Sequence, residues 1–329
     1  MRYLILAFLF SGCAVFRSDP CMNNIITSNL SSSSNSTVCF KTVDSYDLNY
    51  KNKQKINIYG NLYFPEVEAK QYNAVILSHG SGGLRRYHKK YVELLNSAGY
   101  VVFQLDHYMG RSIKYDKTFS KVSGITFMND AYFALNLLRT HPKIDKIAYI
   151  GWSQGGVGPI LSHFNHISTK LTKKNFDASV AIYPYCGFTF NKTVKTDTPL
   201  LIITGRSDDL TPEKSCQNIH EKFQTADNLI EYISIEDARH GFDNPFLFFG
   251  ITFDDLPSLN IINDKCTLTI TDNGEIMNLD GRLIPGPSES EKLLKECSTP
   301  GVTVQYSRRA TNLTSEAIVN FFSERLNNK

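Results

Sequence analysis

From about residue 74 the chain alternates between two kinds of hydrophobic pattern, and no other feature restricts its fold so strongly. Short apolar runs read as buried strands: AVILSHG (74–80), YVVFQLD (100–106), KIAYIGWS (146–153), DASVAIYPY (177–185), TPLLIITG (198–205) and LIEYISIED (229–237). Between them lie segments with apolar residues at helical spacing. These are RYHKKYVELLNSAGY, ending at Gly99, ITFMNDAYFALNLLRTHP, closed by Pro142, QGGVGPILSHF and PEKSCQNIHEKFQTA. TSEAIVNFFSERL ends the chain as an amphipathic helix, and VCFKTVDSYDL and INIYGNLYFP read as two earlier strands. Strands that alternate with helices form a mostly parallel sheet covered on both faces. Ligands in such sheets bind beyond the carboxyl ends of the strands, so the residues just after each strand carry the chemistry.

Three of those places stand out. After KIAYI comes Gly151-Trp152-Ser153-Gln154-Gly155, after LLIIT comes Gly205-Arg206-Ser207-Asp208, and after EYISIED comes Ala238-Arg239-His240-Gly241. A bare G-x-S-x-G arises by chance roughly 0.1 times in a chain this long. Here a strand precedes it and a helix start follows, which is the context a nucleophile elbow needs. The turn strains the serine backbone, so its neighbours must be small, and Gly151 and Gly155 meet that need. A serine hydroxyl is barely ionised at neutral pH and needs a base to take its proton. His240 alone among the eight histidines follows both other groups and sits directly after the last core strand. Asp208 would orient that imidazole; Asp209 next to it is the alternative.

Acyl transfer builds negative charge on a carbonyl oxygen, which two backbone N–H groups usually meet. Gln154 follows the nucleophile and supplies one; Ser81, in the loop Ser78-His79-Gly80-Ser81-Gly82-Gly83, is expected to supply the other. The same loop lacks Gly-Lys-Ser/Thr and the G-x-G-x-x-G spacing, which argues against phosphate binding. His163 and His166 sit three apart, which a surface helix explains better than a metal site. No cysteine or histidine cluster has zinc spacing, so neither metal nor cofactor is expected.

The chain has 329 residues, 42% hydrophobic, with a net charge of +3 from 35 basic and 32 acidic residues. So small a bias gives no electrostatic grip on nucleic acid. The length suits one α/β domain, expected over 39–329. MRYLILAFLFSGC has one Arg, a short apolar run, then Ser-Gly-Cys. Residues 1–12 read as a secretory signal too short to span a bilayer permanently. The ending is lipobox-like, which makes Cys13 a lipidation candidate. Phe10 stands where Leu is usual, and a plain signal peptide or an uncleaved anchor are the alternatives. Residues 13–38, with SNLSSSSNST, have little to bury and read as a flexible tether. Six further cysteines, an even number in an exported chain, suggest disulfides. Nearest neighbours in sequence would pair as Cys21–Cys39, Cys186–Cys216 and Cys266–Cys297, one of 15 possible connectivities.

Taken together, LSHGSGG, GWSQGG, YPYCG, TGRSDDLTPEKSC and ARHGFDNP resemble exported members of the dienelactone hydrolase family, from about residue 55 to the C-terminus. The resemblance implies an eight-stranded α/β-hydrolase fold, no metal, and hydrolysis of carboxylic esters or lactones. It implies Ser153, Asp208 and His240 as the triad, and the cysteines of YPYC and PEKSC look like family features. The founding members use a cysteine nucleophile, whereas this chain has serine, and small members lack the stretch from Asp243 to Pro300. Both departures favour a general carboxylesterase over a lactonase. Within that stretch TLTITDNGEIMNL reads as a hairpin around Asp272-Asn273-Gly274, and NPFLFFGITF is expected to line or lid the acyl pocket, with a hydrophobic seam against the body as the alternative. The expectation is an exported, monomeric serine esterase acting on small-molecule esters, in the periplasm or outer membrane through a lipid on Cys13, otherwise secreted. A peptidase or acyltransferase with the same triad, and a non-catalytic surface lipoprotein, are the alternatives.

Overall fold

The computed structural model describes residues 19–49, 52–190, 198–223, 230–259 and 265–327. Residues 1–12, read above as a signal, and Cys13 lie outside the described residues. Among the described residues, no helix is long and apolar enough to cross a membrane.

The central sheet has eight strands. They are β1 (Ser36–Val43), β2 (Lys55–Tyr63), β3 (Tyr72–Ser78), β4 (Val101–Asp106), β5 (Ile144–Trp152), β6 (Ala178–Ile182), β8 (Leu200–Gly205) and β9 (Ile230–Ile235). The three-residue β7 (Phe188–Phe190) lies outside it. The spatial order is β1-β2-β4-β3-β5-β6-β8-β9. β2 runs antiparallel to both β1 and β4, and the other neighbours are parallel. All six residues of β4 are buried, as expected of a strand covered on both faces. Along β3, Ala74 and Ile76 enter one hydrophobic core and Val75 and Leu77 the other. That is the period of two that places successive side chains on opposite faces.

Helix α1 (His88–Ser97) follows β3, and α2 (Gly124–Leu138) follows β4. A capping box starts α2: the Ser123 side chain accepts from Thr126 N–H, and the Thr126 hydroxyl accepts from Ser123 N–H. After β5 come α3 (Val157–Ser162) and α4 (Asn165–Leu171), and α5 (Glu213–Phe223) joins β8 to β9.

The stretch 243–300 is more structured than a lid-like loop. β10 (Ile251–Ser258) pairs antiparallel with β13 (Thr299–Val304). β11 (Leu268–Ile270) and β12 (Ile276–Asn278) form the hairpin around Asp272–Gly274, and β11 adds parallel to β7. Gly274 has φ +88° in that turn, a conformation glycine adopts at no steric cost. Helix α6 (Pro287–Cys297) follows, and α7 (Arg308–Leu326) closes the chain.

Three disulfides form, with Cα separations of 5.6 Å for Cys21–Cys39, 5.0 Å for Cys186–Cys216 and 5.2 Å for Cys266–Cys297. The first corrects the expectation of a loose tether across 19–38. Cys21 is bonded into β1, Leu30 is fully buried, and Leu30 N–H donates to Thr140 Oγ1 at 2.7 Å. Ile26 packs against the Cys21–Cys39 cluster and Thr27 N–H donates to the Cys39 carbonyl, so a few apolar side chains and one cross-link dock a segment that is otherwise mostly polar. His163 is also not on a surface: it is fully buried, with Nδ1 against the carbonyl of Thr198.

Candidate active site

β5 ends at Trp152, and Ser153 opens a single 3₁₀ turn, Ser153–Gly156, that runs into α3. Ser153 has φ +53°, a left-handed conformation that costs a non-glycine residue free energy. The glycines beside it are sterically required. A Cβ at Gly151 would lie 2.2 Å from the carbonyl oxygen of Gly155, and one at Gly155 would lie 2.1 Å from that of His79. The strain therefore persists because β5, the β3 loop and the turn hold each other.

His240 and Asp208 reach this turn from the ends of β9 and β8. Ser153 Oγ lies 2.9 Å from His240 Nε2, and His240 Nδ1 lies 2.7 Å from Asp208 Oδ2. All three residues are buried. The Asp208 carboxylate is itself fixed: Oδ1 accepts from the N–H groups of Leu210 (2.9 Å) and Thr211 (2.8 Å). Thr211 Oγ1 lies 3.0 Å from Oδ2 and 3.1 Å from His240 Nδ1. Asp209 points elsewhere. Its oxygens accept from Thr303 N–H and it pairs with Arg239, so it braces β13 instead of the imidazole.

The loop after β3 presses on the elbow. A Cβ at Gly80 would stand 3.1 Å from Ser153 Cβ and 3.8 Å from its Oγ, so a side chain there would have to push the nucleophile aside by a few tenths of an ångström. The His79 ring fixes the direction of the next peptide. Its Nε2 accepts from His107 N–H at 3.2 Å, which leaves the proton on Nδ1, and Nδ1 donates to the Gly80 carbonyl at 2.7 Å. In a trans peptide the N–H points opposite to the carbonyl, so this contact sets the aim of Ser81 N–H. Burial, with His107 nearby, pushes His79 down to about 4, consistent with a neutral ring. The Gln154 side chain is held away from the site. Its Nε2 donates to Val122 O at 2.7 Å and its Oε1 accepts from Tyr108 at 3.0 Å.

Two buried networks were not legible in the sequence. Asp243, three residues past His240, accepts from Tyr91 (2.8 Å), Trp152 (2.7 Å) and Tyr183 (2.6 Å). It thus links the residue before the nucleophile to the loop that carries the base. Tyr183 also lies against the His240 ring, with centroids 4.7 Å apart. The second network is a sealed Ser–His–Asp chain. Ser78 Oγ is 2.7 Å from His107 Nε2, and His107 Nδ1 is 2.8 Å from Asp130, which Arg111 also grips at 2.8 Å. Ser78, His107 and Asp130 have no exposed surface, so no substrate can meet them, and they anchor the β3 loop.

A cavity of about 110 Å³ opens on Ser153 and Gln154. NPFLFFGITF does not line it, contrary to the sequence reading: Phe246, Phe248 and Phe249 are exposed, and Leu247, Ile251 and Phe253 pack inward against Val302 and Val304 instead. The reason is topological. A 3₁₀ turn at Pro245–Leu247 leads straight into β10, which is drawn away by its pairing with β13. The cavity's far wall comes instead from Leu259 and from residues 266–294, opposite side chains such as Ile125, Val157 and Leu161.

An eight-stranded sheet of this order, with a strained serine after β5, is the α/β-hydrolase fold. A sequence model of the dienelactone hydrolase family matches residues 58–246, and the chain belongs to that family. No curated protein matches it. Its structure is similar to that of a dienelactone hydrolase-like promiscuous phosphotriesterase from metagenomic libraries. The TM-score is 0.53 at 16% identity, over 88% of this chain and 98% of that one. It is also similar to a putative dienelactone hydrolase from Klebsiella pneumoniae, with TM-score 0.46 and 16% identity over 64% of this chain and 90% of that one. At these identities the likeness concerns the fold.

Proposed function

We propose that this protein is a serine hydrolase that cleaves carboxylic esters through an acyl-enzyme. The observation that carries the reading is the 2.9 Å contact between Ser153 Oγ and His240 Nε2, backed by Asp208 at 2.7 Å. Ser153 Oγ attacks the ester carbonyl, and its proton passes to His240 Nε2. Asp208 steadies the imidazolium. The N–H groups of Gln154 and Ser81 receive the oxyanion. The C–O bond to the alcohol breaks as His240 returns the proton to the leaving oxygen. Water, deprotonated by His240, then attacks the acyl-enzyme and releases the acid. Three disulfides suit an oxidising compartment, which supports export, with a lipid on Cys13 as the anchor.

A fluorophosphonate probe should label folded wild-type protein at Ser153 and leave Ser153→Ala unlabelled, and wild type should hydrolyse p-nitrophenyl esters. Absence of both labelling and hydrolysis in folded protein would refute the reading. Cleavage of peptides in preference to esters would point to a peptidase with the same triad.

A further inference from the structure

The substrate class of this site, resting on the hydrolase reading above, follows from what the cavity offers. Among the described residues no charged side chain lines it. The polar side chains that do, Ser153 aside, are already engaged within the protein, and the Ser290 hydroxyl bonds the Tyr46 hydroxyl. Tyr46 donates to Ser120 O, Ser123 to Tyr46 O, and Tyr185 to Cys266 O. The Gln154 amide is held by Val122 and Tyr108, and Thr211 by Asp208. Beyond Ser153 and the oxyanion N–H groups, a ligand in this space finds mostly hydrocarbon and no charged partner. Any polar or charged group placed there would lose its water without replacement.

The cavity also distinguishes the two halves of an ester. His240 must reach the leaving oxygen to protonate it, so the alcohol departs on its side. The cavity is bounded by Ser153, Gln154 and Thr211, and His240 is not among its lining residues. The part that stays on Ser153, the acyl group, is therefore the part the cavity holds. Its size sets a limit. A cavity of roughly 150 Å³ lined by Leu, Ile and Phe accepts benzene. At about 110 Å³ this one accepts somewhat less, an acyl tail of about four to six carbons.

The far wall lies outside the part of the chain that the family match covers. Leu259, Leu268, Ile270, Ile276, Ile284 and Leu293 line the cavity, and all lie beyond the family match, which ends at 246. The Cys266–Cys297 bond ties this wall to the end of α6, and Cys266 itself lines the cavity. We propose that the cross-linked wall formed by Leu259 and residues 266–297 makes the enzyme selective for uncharged esters of short, apolar acyl groups, with the wall as the chain-length stop.

The test uses full-length protein and two ester series: p-nitrophenyl acyl esters from acetate to decanoate, and butyrate esters of varied alcohols. Burying each further methylene should raise kcat/KM about three- to fourfold until the wall is met. Beyond about six carbons it should fall. Leu293→Ala and Ile276→Ala should move the optimum up by about two carbons. Leu293→Trp should lower hexanoate turnover more than tenfold and acetate less than threefold. None of these should alter the alcohol profile. A p-nitrophenyl ester with a terminal carboxylate on a five-carbon acyl chain should react at least a hundredfold more slowly than its neutral counterpart. Cys297→Ser, which frees the wall without touching its apolar face, should flatten discrimination against decanoate, and circular dichroism checks that each variant is folded. Hydrolysis with a flat acyl profile, a shift in the alcohol series, or equal rates for the carboxylated ester would overturn this inference alone. Absence of any hydrolysis, with Ser153 unlabelled, would overturn the hydrolase reading and this inference with it.

Discussion

Two buried histidines should make the protein sensitive to acid in a window that can be calculated. Burial pushes His88 down to about 3, with His79 adding repulsion, and His79 down to about 4. In the unfolded chain both titrate near 6.5. Below that value the unfolded state takes up protons that the folded state refuses, so stability is intact above about pH 6.5 and is lost as pH falls. At pH 5 both folded-state values still lie below the ambient pH, so each histidine costs roughly 1.4 kcal/mol for each of about 1.5 pH units, or about 2 kcal/mol. The pair should cost about 4 kcal/mol between pH 7.5 and 5. His88→Asn isolates one of them. Its side-chain oxygen can still accept from Arg85 N–H, as His88 Nδ1 does at 3.1 Å. The ring contacts with Tyr87 and Trp152 are lost at every pH alike. Denaturant unfolding at pH 7.5 and pH 5 should therefore show the variant losing about 2 kcal/mol less than wild type on acidification. Asp243, raised by burial, works in the opposite sense but is common to both proteins and cancels. Equal losses in the two proteins would refute the claim that His88 stays neutral in the fold.

Asp208→Asn should lower kcat by about 10⁴-fold while fold and substrate binding persist, since the amide holds the imidazole in the wrong tautomer; steady-state kinetics on a p-nitrophenyl ester measures this. Replacing Cys186 and Cys216 by serine opens a loop of sequence separation 30 and should cost roughly 3–4 kcal/mol in urea unfolding. Asp243→Asn places an amide N–H where three donors converge and leaves at least one of them unpaired. The expected loss is about 1–3 kcal/mol of stability. Because Trp152 and the His240 loop meet there, kcat should also fall with KM little changed.

The readable part of the molecule was the part dictated by local pattern. Strands such as β4 and β5 are continuous apolar runs, and the triad residues sit directly after three of them. What escaped was set by contacts distant in sequence. Asp243 looks like a lone acid in an apolar stretch, and its partners Tyr91, Trp152 and Tyr183 lie 60 to 152 positions away. The hairpin of β11 and β12 was legible from its Asp272-Asn273-Gly274 turn, but β7 has three residues, too few for any period to show, and its parallel pairing with β11 was not legible. PSESEKLLKEC does carry apolar residues at Leu293 and Leu294 with Pro at its start, a signal that could have announced α6. The fate of NPFLFFGITF was decided by the pairing of β10 with β13, which composition cannot reveal.

The disulfides sort along the same line. Cys186–Cys216 joins the segment after β6 to α5, and both segments adjoin the strand ends that carry the chemistry. Cys266–Cys297 braces a wall that no strand of the central sheet contributes to. That wall is a small sheet of three-residue strands, β12-β11-β7, with the helix α6, and so short a ladder holds its shape weakly on its own. The cross-link is thus the physical condition for a cavity of fixed length. Catalytic geometry, by contrast, is over-determined by the large sheet, the elbow glycines and Asp243. Loss of the outer bond should then blur selectivity long before it weakens attack by Ser153.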